Sequence, residues 1–362
     1  MEKEKSKKTP RIILIVAIIV IAALATGAYY YVQNPGVLAK VISTGTKTVS
    51  DGSVHTEETT TADEQKAAYR EITALDDFGG EKWDEGVIKY NGKLYRYNSG
   101  LKNYLFMGID NENTVQPAED GISGGQSDAM FLLCLDEAAR DVKIIAINRN
   151  TMVPVDVYDR EGNFLVQMDL QICLQHGYGD GMKLSCLRSV EAVDRLFKDV
   201  PISGYLTLNM GGMAAVNDAV GGITLTPLET VIQGDVIIPQ GSEITLDGKQ
   251  AYTYLRTRDI NKEGTSDDRL KRQQQYVTAF IQKILSNPSL ANKVYEAGKD
   301  YMVASIDLVK LINSSKDMRF DENSLYSIPG ETGFKDGFET YDIDETAMIE
   351  LILDVFYKEA GE

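Results

Sequence analysis

Five arginines, Arg149, Arg256, Arg258, Arg269 and Arg272, stand in two short stretches of a chain whose net charge is −17. A guanidinium stays protonated in proteins, and its planar fork holds two phosphate oxygens at once. Gathered on an acidic chain, such residues mark a site for a compact polyanion such as a pyrophosphate. Arg269, Arg272 and Gln273 fall at i, i+3 and i+4. On a helix they share one face near its N-terminus, where free N–H groups and the dipole also favour anions. A solvated helix with salt bridges to Asp259, Asp267 and Asp268 is the plainer use of the same charges.

Asp110 and Asp128 are the carboxylates in a position to join them. The connection 136–141 is too short to cross over a sheet, so the apolar runs 130–135 and 142–147 must be antiparallel neighbours. Asp128, just before one run, and Arg149, just after the other, then lie at the same sheet edge. Asp110 closes the run 104–109. If that run is parallel to 142–147, two carboxylates and an arginine meet at one rim, where open α/β sheets place ligands. Taken singly, Asp110 reads as a turn or cap residue, and Asp128 as a loop residue after Gly124 and Gly125.

The elements that must position these groups are short and strongly apolar. The runs 104–109, 130–135 and 142–147 suit strands buried on both faces. Further strands are expected at 202–208, 223–226 and 325–328. Helical periodicity marks 187–200, 213–220, 268–285 (with Pro288 just beyond) and 344–357. Asn91 and Gly92 form a hairpin turn within 87–97, and 62–75 reads as a short helix or more stalk. The alternation predicts an α/β fold, a three-layer α/β/α domain with a mixed central sheet over 87–362.

The front of the chain is different. Residues 1–11 carry Lys3, Lys5, Lys7, Lys8 and Arg11 against Glu2 and Glu4, and 12–32 is an apolar run ending on three tyrosines. That length crosses a bilayer of roughly 30 Å and exceeds a usual signal-peptide core. The expectation is a single-pass anchor at 12–32 with 1–11 as a cytoplasmic tail and an extracytoplasmic stalk at 33–86. Because the tail is basic, the outer part is more acidic than the whole chain and should bind no nucleic acid through bulk charge. Cys134, Cys173 and Cys186 show no metal-binding spacing. A Cys173–Cys186 bridge and reduced core thiols both remain open.

Several segments then occur in a familiar order: Phe106-Met-Gly-Ile-Asp110, Ser127-Asp128, Ile147-Asn-Arg149, Val220-Gly-Gly222, and Leu246 through Arg258 followed by Asp268-Arg269-Leu-Lys-Arg272-Gln273. Together they resemble the LytR-CpsA-Psr (LCP) family over about 103–290. The resemblance implies an LCP-like catalytic domain on the outer face of a cell membrane. Its activity would move a glycopolymer from a polyprenyl-pyrophosphate carrier onto peptidoglycan through a phosphodiester, with pyrophosphatase side activity. It also implies that Asp110 and Asp128 position Mg²⁺ (or Mn²⁺), that Arg149 meets the developing charge, and that Arg256, Arg258, Arg269 and Gln273, with Arg272 beside it, hold the phosphates. Three features depart from the family pattern. Gln126 replaces an arginine, Asn148-Arg149-Asn150 replaces Pro-Arg-Asp, and 170–179 differs from a Lys-Ile-Asn stretch. His176 is a candidate base or a structural hydrogen-bonding group. The alternative function is a non-catalytic protein that binds lipid pyrophosphate or wall polymer in envelope assembly or signalling.

Overall fold

The computed structural model describes residues 69–79, 86–258, 265–287, 289–306 and 318–360. The expected tail and membrane span lie outside the described residues. Among those described, no helix is long and apolar enough to cross a membrane. Of the segment 62–75, the described part is not α-helical: Tyr69–Glu71 is a strand, β1, and Leu75–Asp77 begins a single tight turn of 3-10 helix. The hairpin of β2 (Val87–Tyr90) and β3 (Lys93–Tyr97) forms as the sequence predicts. Asn91 and Gly92 both take positive φ, 49° and 81°, the backbone that a two-residue hairpin turn requires.

The centre is built from β4 (Leu101–Ile109), β5 (Ser127–Asp136) and β6 (Asp141–Ile147). Both neighbouring pairs are antiparallel, so β4 and β6 run the same way. A hairpin of β7 (Met152–Tyr158) and β8 (Phe164–Gln171) leads to the short α1 (Leu174–Gly177) and to α2 (Lys183–Leu196). The chain then returns to the sheet as β9 (Ile202–Asn209), parallel to β4.

After α3 (Met213–Ala219) come β10 (Ile223–Leu225), the β11 (Val231–Gln233) and β12 (Val236–Ile238) hairpin, and β13 (Ile244–Leu246). The expected strand at 223–226 therefore forms, but it pairs with β13 in a separate ribbon. Helices α4 (Gly248–Arg256), α5 (Thr265–Ser286) and α6 (Leu290–Gly298) follow. Strands β14 (Met302–Ala304) and β15 (Leu325–Ser327) close the two edges of a mixed sheet ordered β14-β9-β4-β5-β6-β15. The last elements are the hairpin of β16 (Gly330–Lys335) and β17 (Phe338–Ile343), then α7 (Glu345–Phe356), then β18 (Tyr357–Glu359) against β3.

Alternation along the strands makes three layers. Phe106, Phe131, Leu133 and Ile144 face a core shared with α3, α4 and α5. Leu105, Met107, Leu132 and Ile145 face a second core with α2 and α7. Burying each such side chain contributes about 1.5–3 kcal/mol, so the middle of the sheet is a rigid base for whatever its ends carry. Helix α2 begins four residues before the expected 187 and ends where Lys198 and Asp199 take positive φ. Helix α4 starts at a capping box: Asp247 accepts from the Gln250 N–H at 2.8 Å, and the Gln250 side chain accepts from the Asp247 N–H at 3.0 Å.

Candidate functional site

The parallel run of β4 and β6, with β5 antiparallel between them, brings Asp110, Asp128 and Arg149 to one rim. The approach to Asp128 is fixed by its loop. Gly125 has φ +80°, and a Cβ there would stand 2.8 Å from the Ile109 side chain, so the turn needs glycine. Asp110 Oδ1 accepts from the Gln126 N–H at 2.6 Å, and the Asp110 N–H donates to the Gln126 carbonyl at 3.0 Å. Asp110 thus does act as a local turn residue, and it remains at the rim.

Arg149 is buried. Its Nη1 lies 2.5 Å from Asp128 Oδ1, and its Nη2 donates to Gln126 Oε1 at 2.7 Å and to Cys173 Sγ at 3.1 Å. Its Nε has no hydrogen-bond partner among the described residues. Arg269, from the first turns of α5, places Nη1 3.5 Å from Asp128 Oδ2. Arg258, beyond the end of α4, donates to Ser266 Oγ at 2.8 Å and lies 3.4 Å from Glu339 Oε2.

Three guanidiniums and two carboxylates are therefore gathered at one rim, with Asp128, Arg149 and Arg269 buried. Burial works against the charge on Arg149, yet Asp128, Cys173 and Asp110 together hold it firmly protonated. Burial pulls Arg269 below the usual arginine range, Asp128 opposes this, and Arg149 and Arg258 add repulsion. The Asp110 carboxyl is pushed well above the usual carboxylate range, first by burial and then by the charge of Asp128. An anion would relieve the cations, and a divalent cation would relieve the acid pair.

The remaining expected phosphate ligands divide. Arg256 sits apart, 2.5 Å from the Tyr252 hydroxyl and 3.5 Å from Glu112 Oε1. Arg272 is on the buried face with Arg269 but is committed elsewhere. It donates to the carbonyls of Tyr254 and Thr257, and its Nε lies 2.9 Å from Glu229 Oε1. Gln273 donates to the Leu255 carbonyl at 3.4 Å. The shared helical face was legible, but three residues along α5 is about 4.5 Å, which carries Arg272 onto the end of α4 and away from the carboxylates.

His176 is structural. It is buried, its Nδ1 lies 3.0 Å from the Gly125 carbonyl, and burial lowers it to about 4. The three cysteines are free and buried, so no Cys173–Cys186 bridge forms; Cys173 contacts Arg149 instead.

For Mg²⁺, Asp110 and Asp128 offer hard oxygen donors on adjacent strands, and each carboxylate oxygen has two lone pairs. No group of three or more potential ligands exists among the described residues. Two carboxylates completed by water and substrate oxygens are the usual Mg²⁺ arrangement, so the donor set fits.

Glu339, on β17, was not foreseen. Its Oε2 accepts from Asn150 Nδ2 at 3.0 Å and from the Ser266 hydroxyl, besides pairing with Arg258. Asn148 Nδ2 donates to Asp267 Oδ1 at 2.6 Å, and the Thr332 hydroxyl donates to Asp267 Oδ2. The β16–β17 hairpin is thus latched to the site through both of its strands.

A mixed sheet with helices on both faces and an arginine–carboxylate cluster at the strand ends defines the class of protein. The LytR_cpsA_psr family model matches residues 53–353, and the chain belongs to that family. A relative from Enterococcus faecalis, named polyisoprenyl-teichoic acid–peptidoglycan teichoic acid transferase TagU, is 25% identical over 249 residues, covering 67% of this chain and 75% of its own. In fold, the chain is similar to Bacillus subtilis TagV (TM-score 0.54, 22% identity, 71% of this chain and 96% of that one). It is also similar to protein gbs0355 from Streptococcus agalactiae (TM-score 0.57, 20% identity, 71% and 87%).

Proposed function

We propose that this chain is a membrane-anchored, extracytoplasmic transferase that moves a glycopolymer from a polyprenyl-pyrophosphate carrier onto peptidoglycan through a phosphodiester. The observation that carries the reading is Arg149. It is buried against Asp128, its Nε donor without a hydrogen-bond partner among the described residues, beside Arg258, Arg269 and Asp110. A pyrophosphate supplies the oxygens that such donors need. The name of the E. faecalis relative supports the same donor and acceptor classes. The apolar run 12–32 and the basic tail before it support the anchor and its orientation.

In this reading the acceptor hydroxyl oxygen attacks the phosphorus that carries the glycan. A new P–O bond forms, the bond to polyprenyl phosphate breaks, and the hydroxyl proton is lost to solvent. Arg149, Arg258 and Arg269 hold non-bridging oxygens and stabilise charge on the departing polyprenyl phosphate. They are already held together by the protein, which lowers the reorganisation that the reaction requires. Asp110 and Asp128 would hold Mg²⁺, which when bound neutralises phosphate charge. Asp128 also fixes Arg149 and Arg269 at the reacting group. Water in place of the acceptor would give pyrophosphatase side activity.

The test uses the purified full-length chain in detergent with a short polyprenyl-pyrophosphate saccharide, with and without Mg²⁺. Polyprenyl phosphate is followed by mass spectrometry, with Arg149→Ala alongside. The expected result is Mg²⁺-dependent release that the substitution abolishes. Tight lipid binding with no release would overturn the transferase reading in favour of a non-catalytic binding protein.

A further inference from the structure

Glu339 is the carboxylate in this region that neither the strand ends nor the α5 face supplies. Its side chain is 11% exposed, and its Oε2 collects Asn150 Nδ2 at 3.0 Å, Arg258 Nη1 at 3.4 Å and the Ser266 hydroxyl. The surrounding backbone points the same way. The Glu339 carbonyl accepts from Gln171 Nε2 at 2.6 Å, and the same amide donates to Asn150 Oδ1 at 3.1 Å. The Tyr341 N–H donates to the Asn150 carbonyl at 2.9 Å. One carboxylate thus joins four segments: the loop after β6, the stretch following α4, the start of α5 and the β16–β17 hairpin.

We infer that Glu339 is a positioning residue, holding the Arg258 guanidinium directly and fixing, through Asn150, the loop that carries Arg149. This rests on the reading that these arginines hold a pyrophosphate. The charge matters because Glu339 adds a carboxylate to a cluster in which, among the described residues, Arg149, Arg258 and Arg269 face Asp128, with Asp110 beside Arg149. Hydrogen bonds to a charged acceptor are also shorter and stronger than neutral ones. The chemistry at position 150 agrees. An amide Nδ2 is a donor, so Asn150 can approach Glu339, whereas an aspartate there would face it as a second negative charge. The pair is a donor and a charged acceptor, and its roles can be exchanged: Asn150→Asp with Glu339→Gln keeps one carboxylate and one amide across the same contact.

The test compares wild type, Glu339→Gln, Asn150→Asp and the double variant as full-length chains in detergent. Three readouts are used: Kd for inorganic pyrophosphate with Mg²⁺, kcat and KM for polyprenyl phosphate release, and the thermal midpoint. Glu339→Gln should weaken pyrophosphate binding about tenfold and raise KM more than it lowers kcat. Asn150→Asp alone should weaken binding and lower the midpoint. The double variant should return to within about threefold of wild type, equivalent to less than 1 kcal/mol. A merely structural contact would lower the midpoint of Glu339→Gln and leave pyrophosphate affinity of the folded protein unchanged, which overturns the inference. So would a double variant whose losses simply multiply. If wild type binds no pyrophosphate, the functional reading fails by itself, and the thermal cycle decides the exchange. Recovery in the double variant then supports the Asn150–Glu339 pairing, and additive losses sink it.

Discussion

Asp128 Oδ1 lies 2.5 Å from Arg149 Nη1, and both side chains are buried. The other carboxylate oxygen faces Arg269 at 3.5 Å, so one acid stands between two guanidiniums. Removing one partner of a buried ion pair costs about 3–5 kcal/mol, because the survivor keeps its desolvation penalty. The two partners are not equivalent here. Arg149→Gln leaves Asp128 still paired with Arg269. Asp128→Asn leaves two buried guanidiniums facing each other. Denaturant unfolding should therefore show Asp128→Asn as the more destabilised variant, at or above the upper end of that range. The reverse order would mean that Asp128 is not the electrostatic hub of the cluster.

The meeting of Asp110, Asp128 and Arg149 was legible because it follows from strand direction. A short connection forces β5 and β6 antiparallel, and continuous apolar runs mark strands buried on both faces. Glu339 was not legible. It is 189 residues from Asn150 in sequence, and it arrives on a hairpin, Gly330–Lys335 with Phe338–Ile343, whose mixed polar composition gives no clean period-two pattern. Arg272 was half legible. Helical spacing gave its face correctly, while its partners, the carbonyls at the end of α4, depend on tertiary packing that spacing does not encode.

Arg272 should therefore behave as a structural clamp. Its guanidinium satisfies the carbonyls of Tyr254 and Thr257 and pairs with Glu229. A lysine keeps the charge but not the fork. Leaving a buried acceptor unsatisfied costs about 1–3 kcal/mol, so Arg272→Lys should lower the thermal midpoint. Below that midpoint, its Kd for pyrophosphate should stay within about twofold of wild type. A large loss of affinity in a fully folded variant would place Arg272 in the binding site after all.

The thiols give a separate check on the fold. Cys134, Cys173 and Cys186 are buried and unbridged, and burial raises all three above the ordinary thiol range, to about 11 for Cys173, where Arg149 partly offsets it. A thiolate is the reactive form. Native protein should react very slowly with a thiol reagent at pH 8, and protein unfolded without reductant should titrate all three cysteines. Titration of a single thiol would indicate a disulfide.

His176 supplies a pH dependence whose sign can be worked out. Its imidazole is buried on the Gly125 carbonyl, and burial lowers its pKa to about 4 against hydrogen bonds to Gly125 and Gly124 that act the other way. The unfolded chain, with an ordinary histidine near 6.5, binds the proton more readily than the fold does. Below that value protonation therefore favours unfolding. The stabilising contribution is complete above about pH 6.5 and is lost as pH falls toward about 4, with a ceiling on the order of 3 kcal/mol. Carboxylates titrate across the same window, so a single curve cannot isolate the histidine. His176→Asn can, because an amide can still donate to the Gly125 carbonyl but cannot take up a proton. The urea midpoint of wild type should fall more steeply between pH 7 and pH 4.5 than that of His176→Asn, with the two curves converging in slope above pH 7. Parallel curves through the whole range would show that His176 takes up its proton equally in the folded and unfolded chain, and that burial beside the loop before Asp128 does not keep its imidazole neutral.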